Sequence, residues 1–160
     1  MIACIIHTMN DKPVLDVASP TDRVRGERGM LGLLEVARMV QERVEEALES
    51  VGLSGPKYMT LEQLVNAGEP MSLSALADCR KCVRSNITQL IDRLAADGLV
   101  ERVDDPIDRR AVRARITALG EARFAAGTDA VRDVQNELAD RVSADDRENF
   151  LRVLSAIRNR

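Results

Sequence analysis

Aromatic residues are almost missing from this chain. In 160 residues there is no tryptophan, one tyrosine and two phenylalanines: Tyr58, Phe124 and Phe150. Proteins that grip single-stranded nucleic acid stack its bases on aromatic platforms, so that mode is disfavoured. Histidine is equally scarce, with His7 alone near one end. Acid–base or nucleophilic chemistry built on imidazole therefore has almost nothing to work with. Three cysteines, Cys4, Cys79 and Cys82, make no secreted disulfide framework. No apolar run approaches the ~20 residues that cross a bilayer, so no membrane partner is expected. The stretch 1–9 lacks a basic segment ahead of its short apolar run and reads as no signal peptide. Positive charge is not in excess either. The 23 basic residues against 26 acidic ones give −3, which excludes coating nucleic acid by charge alone. There is no Gly-rich phosphate loop, no Ser/His/Asp set and no convincing carboxylate pair. An enzyme is not expected, nor is a cofactor or a bound metal.

What is present suits a globular, mostly helical chain of the reducing cytoplasm. Hydrophobic residues make up 45% and charged residues 31%, enough for a core and a solvated surface. Residues 1–29 read as a loose arm, broken by Pro13, Pro20, Gly26 and Gly29. A first helix is predicted from about Met30 to Val51. Its apolar positions Leu33, Ala37, Val40, Val44, Ala47 and Val51 repeat every three or four residues as a heptad seam. Gly52 is placed to end it. A second helix opens at Ser54-Gly55-Pro56, with an inner stripe of Tyr58, Leu61, Leu64 and Val65, and closes at Gly68 and Pro70. Ser74 is read as the cap of a short third helix, Ala75 to about Arg80. A fourth is predicted from about Arg84 to Asp97, with Ile87, Leu90, Ile91 and Leu94 inward and Gly98 as its stop.

The apolar period then drops to two. Leu99 to Val103 reads as a strand and Ala111 to Ile116 as its partner, joined by the polar loop 104–110. Thr117 is placed to cap a long fifth helix to about Arg141, with the stripe Phe124, Gly127, Val131, Val134 and Leu138. Ser143 and Asp146 form a capping signal for a last helix expected to bury Phe150, Val153, Leu154 and Ile157.

Two short helices followed by a hairpin with a polar tip make a winged helix-turn-helix. Charge agrees locally: residues 76–117 hold nine basic and seven acidic side chains, or +2, leaving −5 for the rest. The second short helix is the candidate major-groove reader. Asn86 and Gln89 can pair with adenine edges, and the hydroxyls of Ser85 and Thr88 can bond bases or phosphates. Arg84 and Arg93 suit phosphates, which fix register without reading sequence. A solvated helix face on a scaffold that does not bind DNA would carry the same residue types.

The segments Leu76-Ala77-Asp78, Arg84-Ser85-Asn86-Ile87-Thr88-Gln89-Leu90-Ile91-Asp92-Arg93-Leu94 and Asp97-Gly98-Leu99-Val100-Glu101-Arg102 resemble the DNA-binding core of the MarR (multiple antibiotic resistance regulator) family. Asp105-Pro106-Ile107-Asp108-Arg109-Arg110-Ala111, ending in Ile116-Thr117-Ala118-Leu119-Gly120, is similar to that family's wing. The resemblance implies a mainly α fold with a small β-hairpin wing, a winged helix-turn-helix domain plus a helical dimerisation domain. It divides the chain into a flexible arm (1–29), a dimerisation domain (30–55 and 118–160) and a DNA-binding domain (56–117). It implies a homodimeric repressor on a pseudo-palindromic double-stranded operator, released by a small-molecule or oxidative signal. In the wing it makes Arg110 the minor-groove residue, Asp108 the acid that holds it and Arg109 a phosphate contact. In the turn, Lys81 stands where the family has a glycine, and Val83 where it often has a serine cap. A helical interaction module that kept the fold and lost DNA binding is the alternative.

Cys79 and Cys82 lie at that turn and are the candidate redox pair, with Arg80 and Lys81 near enough to lower a thiol pKa. The spacings Cys79-x-x-Cys82 and Cys4-x-x-His7 would suit zinc. The two pairs are far apart in the chain, however, and the preferred reading is a packed Cys82 and a half-exposed Cys79. Family members also bind small apolar anions between their two parts. Arg38, Met39, Tyr58 and Met59 are the residues here that could line such a pocket.

Overall fold

The computed structural model describes residues 24–80, 84–105 and 112–158, apart from the side chains of 24–28, 30, 79–80 and 84–85. The elements run α1 (Val24–Ser50), α2 (Gly55–Ala67), β1 (Met71–Ser72), α3 (Leu73–Arg80), α4 (Arg84–Ala96), β2 (Val100–Asp104), β3 (Val112–Ile116), α5 (Ala118–Asp140) and α6 (Ala144–Arg158). The chain divides into two compact units, 1–38 and 39–160. In the first unit lies the opening part of α1, which begins six residues before the expected start. Leu31, Leu34 and Val36 are exposed there.

The second unit holds the core. Leu48, Leu53, Leu61, Leu64, Leu76, Ile87, Ile91, Leu94, Leu99 and Ala114 are buried together. Each fully buried leucine or isoleucine contributes about 1.5–3 kcal/mol against exposure. Helix α2 starts and stops as its residues dictate. Ser54 is its N-cap, a proline sits in its first turn, and Gly68 closes it in the left-handed conformation at φ 66°. The carboxylate of Glu45 on α1 accepts from Gly55 N at 3.0 and 3.2 Å, satisfying a free amide at the start of α2. Leu61 and Leu64 are buried as expected, and so is Thr60, whose hydroxyl donates to Pro56 O at 2.9 Å. Val65, expected inward, is 38% exposed, because it lines an open cavity rather than the core.

Two expectations about the middle of the chain are corrected. The short helix α3 is capped by Ser72, whose Oγ accepts from Ala75 N at 3.1 Å, and not by Ser74. The hairpin also has a third member. β1 pairs antiparallel with β3, Met71 opposite Ala114 and Ser72 opposite Arg113, so the sheet order is β1-β3-β2. β2 and β3 pair from Val100↔Ile116 to Asp104↔Val112, one residue later in the chain than the expected strand. Gly98, at φ 72°, lets the chain leave α4 and enter β2 directly.

Thr117 joins three segments. Its hydroxyl donates to Gly98 O at 2.7 Å and accepts from Gly120 N at 3.0 Å, capping α5. Its amide donates to Leu99 O at 3.1 Å. Gly120 is required by proximity: a Cβ there would stand 2.1 Å from Leu99 O and 2.8 Å from Ile116 Cγ1. Farther along α5, Phe124 stacks on Tyr58 with ring centroids 5.2 Å apart. The Tyr58 hydroxyl meets Thr128 Oγ1 at 3.2 Å. Arg123 Nη1 donates to Val51 O at 2.7 Å at the end of α1.

Helix α6 is capped as its sequence predicts, with Asp146 N donating to Ser143 Oγ at 3.2 Å. The expected burial of its apolar face is corrected. Phe150, Val153 and Ile157 are 49–53% exposed and none of its residues is buried, because no element of the second unit covers that face.

Candidate nucleic-acid interface

The reading helix α4 sorts its residues by period. Ile87, Ile91 and Leu94 are buried and anchor it against α2, α3 and β2. Asn86, Gln89 and Arg93 are exposed, at spacings of three and four, and so form one outward stripe. This stripe presents an amide pair followed by a guanidinium, the chemistry that reads adenine edges and grips a phosphate. Thr88 is half-buried at the edge of the stripe. Arg84 and Ser85 occupy the first turn of α4, but their side chains lie outside the described residues. The structure thus brings Asn86, Gln89 and Arg93 together.

Ion pairs change the charge count of this region. Arg102 Nη2 on β2 meets Asp92 Oδ1 on α4 at 2.5 Å. Arg115 Nη1 on β3 meets Glu101 Oε1 on β2 at 3.1 Å. Arg113 Nε meets Asp105 Oδ2 at 2.6 Å, and Arg113 Nη1 also reaches Pro70 O at 3.3 Å. Three of the arginines that made the segment look basic are therefore engaged by acids of the same domain. Lys57 on α2 is held by Asp97 just past α4, at 2.5 Å. Arg93 has no ion-pair partner among the described residues, which leaves its guanidinium available to a phosphate. Composition alone missed this, since it counts charges without their partners.

The wing tip, with Asp108, Arg109 and Arg110, lies outside the described residues, as do Lys81, Cys82 and Val83 of the turn. Cys79 belongs to the last turn of α3, and nothing is described of its side chain. The root of the wing is well defined. Asp105 is buried at 9% exposure and paired with Arg113, which ties the end of β2 to β3. Among the described residues no group of three or more His, Cys, Asp or Glu could hold a metal ion. None of the described helices is long and apolar enough to cross a membrane. A cavity of about 510 Å³ lies between α2, β3 and α5. Arg38, Met39, Tyr58 and Met59 are not among its walls.

Comparison with known proteins agrees with this geometry. The model of the MarR family matches residues 51–111. The HTH-type transcriptional regulator YsmB of Bacillus subtilis, itself uncharacterised, is 31% identical over 113 residues, which is 71% of this chain and 70% of that protein. A cysteine-to-serine variant of MarR from E. coli, solved in complex with operator DNA, superposes with a TM-score of 0.66 at 21% identity, covering 86% of this chain and 99% of that one. The organohalide-sensing transcriptional regulator RdhR in its 2,4-dichlorophenol-bound form superposes with a TM-score of 0.68 at 16% identity, covering 92% of this chain and 89% of that one. The chain belongs to the MarR family of winged-helix transcriptional regulators and is not an enzyme.

Proposed function

We propose that this regulator is a homodimeric repressor that binds a pseudo-palindromic double-stranded operator and releases it on a small-molecule or oxidative signal. The observation that carries the reading is the stripe Asn86, Gln89 and Arg93, exposed on a helix whose other face is locked into the core. In a dimer two such stripes enter successive major grooves about one helical turn apart. Arg84, Ser85 and Thr88 add contacts at the edges of each stripe. Arg110 enters the flanking minor groove, Asp108 orients it, and Arg109 meets a phosphate. Residues 56–117 carry DNA binding, and residues 30–55 and 118–160 join the two copies. The exposed Phe150, Leu151, Val153 and Ile157 of α6 support that last assignment, since a second copy would cover them. The operator-bound form of the MarR variant and the dichlorophenol-bound form of RdhR provide the precedents for DNA and for a small effector. Cys79 and Cys82 would serve the oxidative route. The protein works in the cytoplasm, beside its DNA.

A gel shift on the DNA upstream of the protein's own gene, at fixed salt and with and without oxidant, tests the reading. A discrete complex that weakens in Arg110→Ala is expected. No retardation of that fragment or of pooled genomic fragments at low salt would overturn it.

A further inference from the structure

The cavity between α2, β3 and α5 has an apolar floor and an acidic rim. Leu64, Ile116 and Phe124 form the floor, with Val65 beside them. Its volume of about 510 Å³ lies within the range that holds a small organic molecule. Three charged residues line it: Glu69, Glu121 and Arg115. Arg115 is already engaged by Glu101 at 3.1 Å. Neither Glu69 nor Glu121 has a partner among the described residues, and both are exposed. Glu121 lies in the first turn of α5. An anion entering here would meet two carboxylates and an occupied guanidinium. A cation would meet two free carboxylates above an apolar bed.

We infer that this cavity binds a small organic cation with an apolar body, held by Glu69 and Glu121. The charge is opposite to that of the anions expected from the family resemblance. The walls come from the first helix of the DNA-binding part, the middle strand of the wing sheet and the helix that follows it. A bound cation therefore ties the root of the wing to α5. As an effector site it rests on the regulator reading above; binding itself does not.

The test uses two ions of the same shape and opposite charge, tetraphenylphosphonium and tetraphenylborate, titrated into the full chain by calorimetry in sodium buffer. The phosphonium should bind once per chain, and the borate at least about tenfold more weakly. The double variant Glu69→Gln/Glu121→Gln should lose about tenfold in phosphonium affinity, the effect of two exposed ion pairs. Ala125→Trp, which fills the cavity from an exposed position of α5, should abolish binding while circular dichroism stays unchanged. Equal binding of both ions, no phosphonium heat at millimolar concentration, or phosphonium binding that survives both variants would overturn the site. In a second arm, saturating phosphonium should weaken DNA retention. Retention unaffected by the probe would overturn the effector role. No DNA binding at all would count against the regulator reading, while the titration still decides the site.

Discussion

Arg113 and Asp105 hold each other at 2.6 Å across the root of the wing, and the same guanidinium reaches Pro70 O at 3.3 Å. One side chain thus fastens the end of β2, the middle strand β3 and the segment that precedes β1. Asp105 is buried, so removing this cation takes away part of what offsets its desolvation. Arg113→Met should cost about 1–3 kcal/mol in urea unfolding. Asp105→Asn keeps an acceptor for the Nε proton and should cost less. Equal unfolding midpoints for Arg113→Met and the wild type would show that the pair is incidental.

Arg93, which has no ion-pair partner among the described residues, gives a prediction about salt. Arg93→Ala should weaken binding to every duplex by a similar factor and lower the slope of log affinity against log salt by about one. Asn86→Ala and Gln89→Ala should leave that slope alone. They should instead relax discrimination at single base pairs by about 1–3 kcal/mol each, read by competition between operator variants. A uniform loss across sequences in the two amide variants would place the base contacts elsewhere.

Gly120 tests how tightly the start of α5 abuts the hairpin. A methyl group there would fall 2.1 Å from the Leu99 carbonyl oxygen, which is backbone and cannot rotate away. Gly120→Ala should cost about 3 kcal/mol or more in thermal or urea unfolding. Gly68 is the contrast: a Cβ there would meet nothing within 4 Å, and only its φ of 66° opposes the change. Gly68→Ala should cost about 1–2 kcal/mol.

The bare face of α6 predicts the oligomeric state. Wild-type protein should sediment as a dimer. Phe150→Asp or Ile157→Asp should shift it toward monomer at micromolar concentration without loss of helix signal. Monomeric wild-type protein at high concentration would remove the basis for paired reading helices.

Much of the fold was legible because its punctuation is local. Ser54, Pro56 and Gly68 bound α2, Gly98 ends α4, and Thr117 caps α5, each by chemistry confined to a few residues. The inward residues of α4 followed from period alone. What escaped was non-local. β1 is two residues long and exists only because β3 passes beside it, so no sequence period could announce it. The same pairing puts Ser72 ahead of α3 and makes it the cap in place of Ser74. The α6 stripe was visible as an apolar face, but periodicity does not say whether the covering surface belongs to the same chain. In the candidate interface, residue types on α4 were readable from the start. The pairing of Arg102, Arg113 and Arg115 was not, because each partner depends on strand register.

The hydroxyl of Thr117 has one hand on the end of α4 and the other on the beginning of α5. The same oxygen serves both bonds, so the two segments share one anchor. A tilt of α5 away from that turn would stretch the bond from Thr117 to Gly98 O. Any rotation of α5 therefore pulls on the turn that ends α4, the helix whose exposed stripe carries Asn86, Gln89 and Arg93.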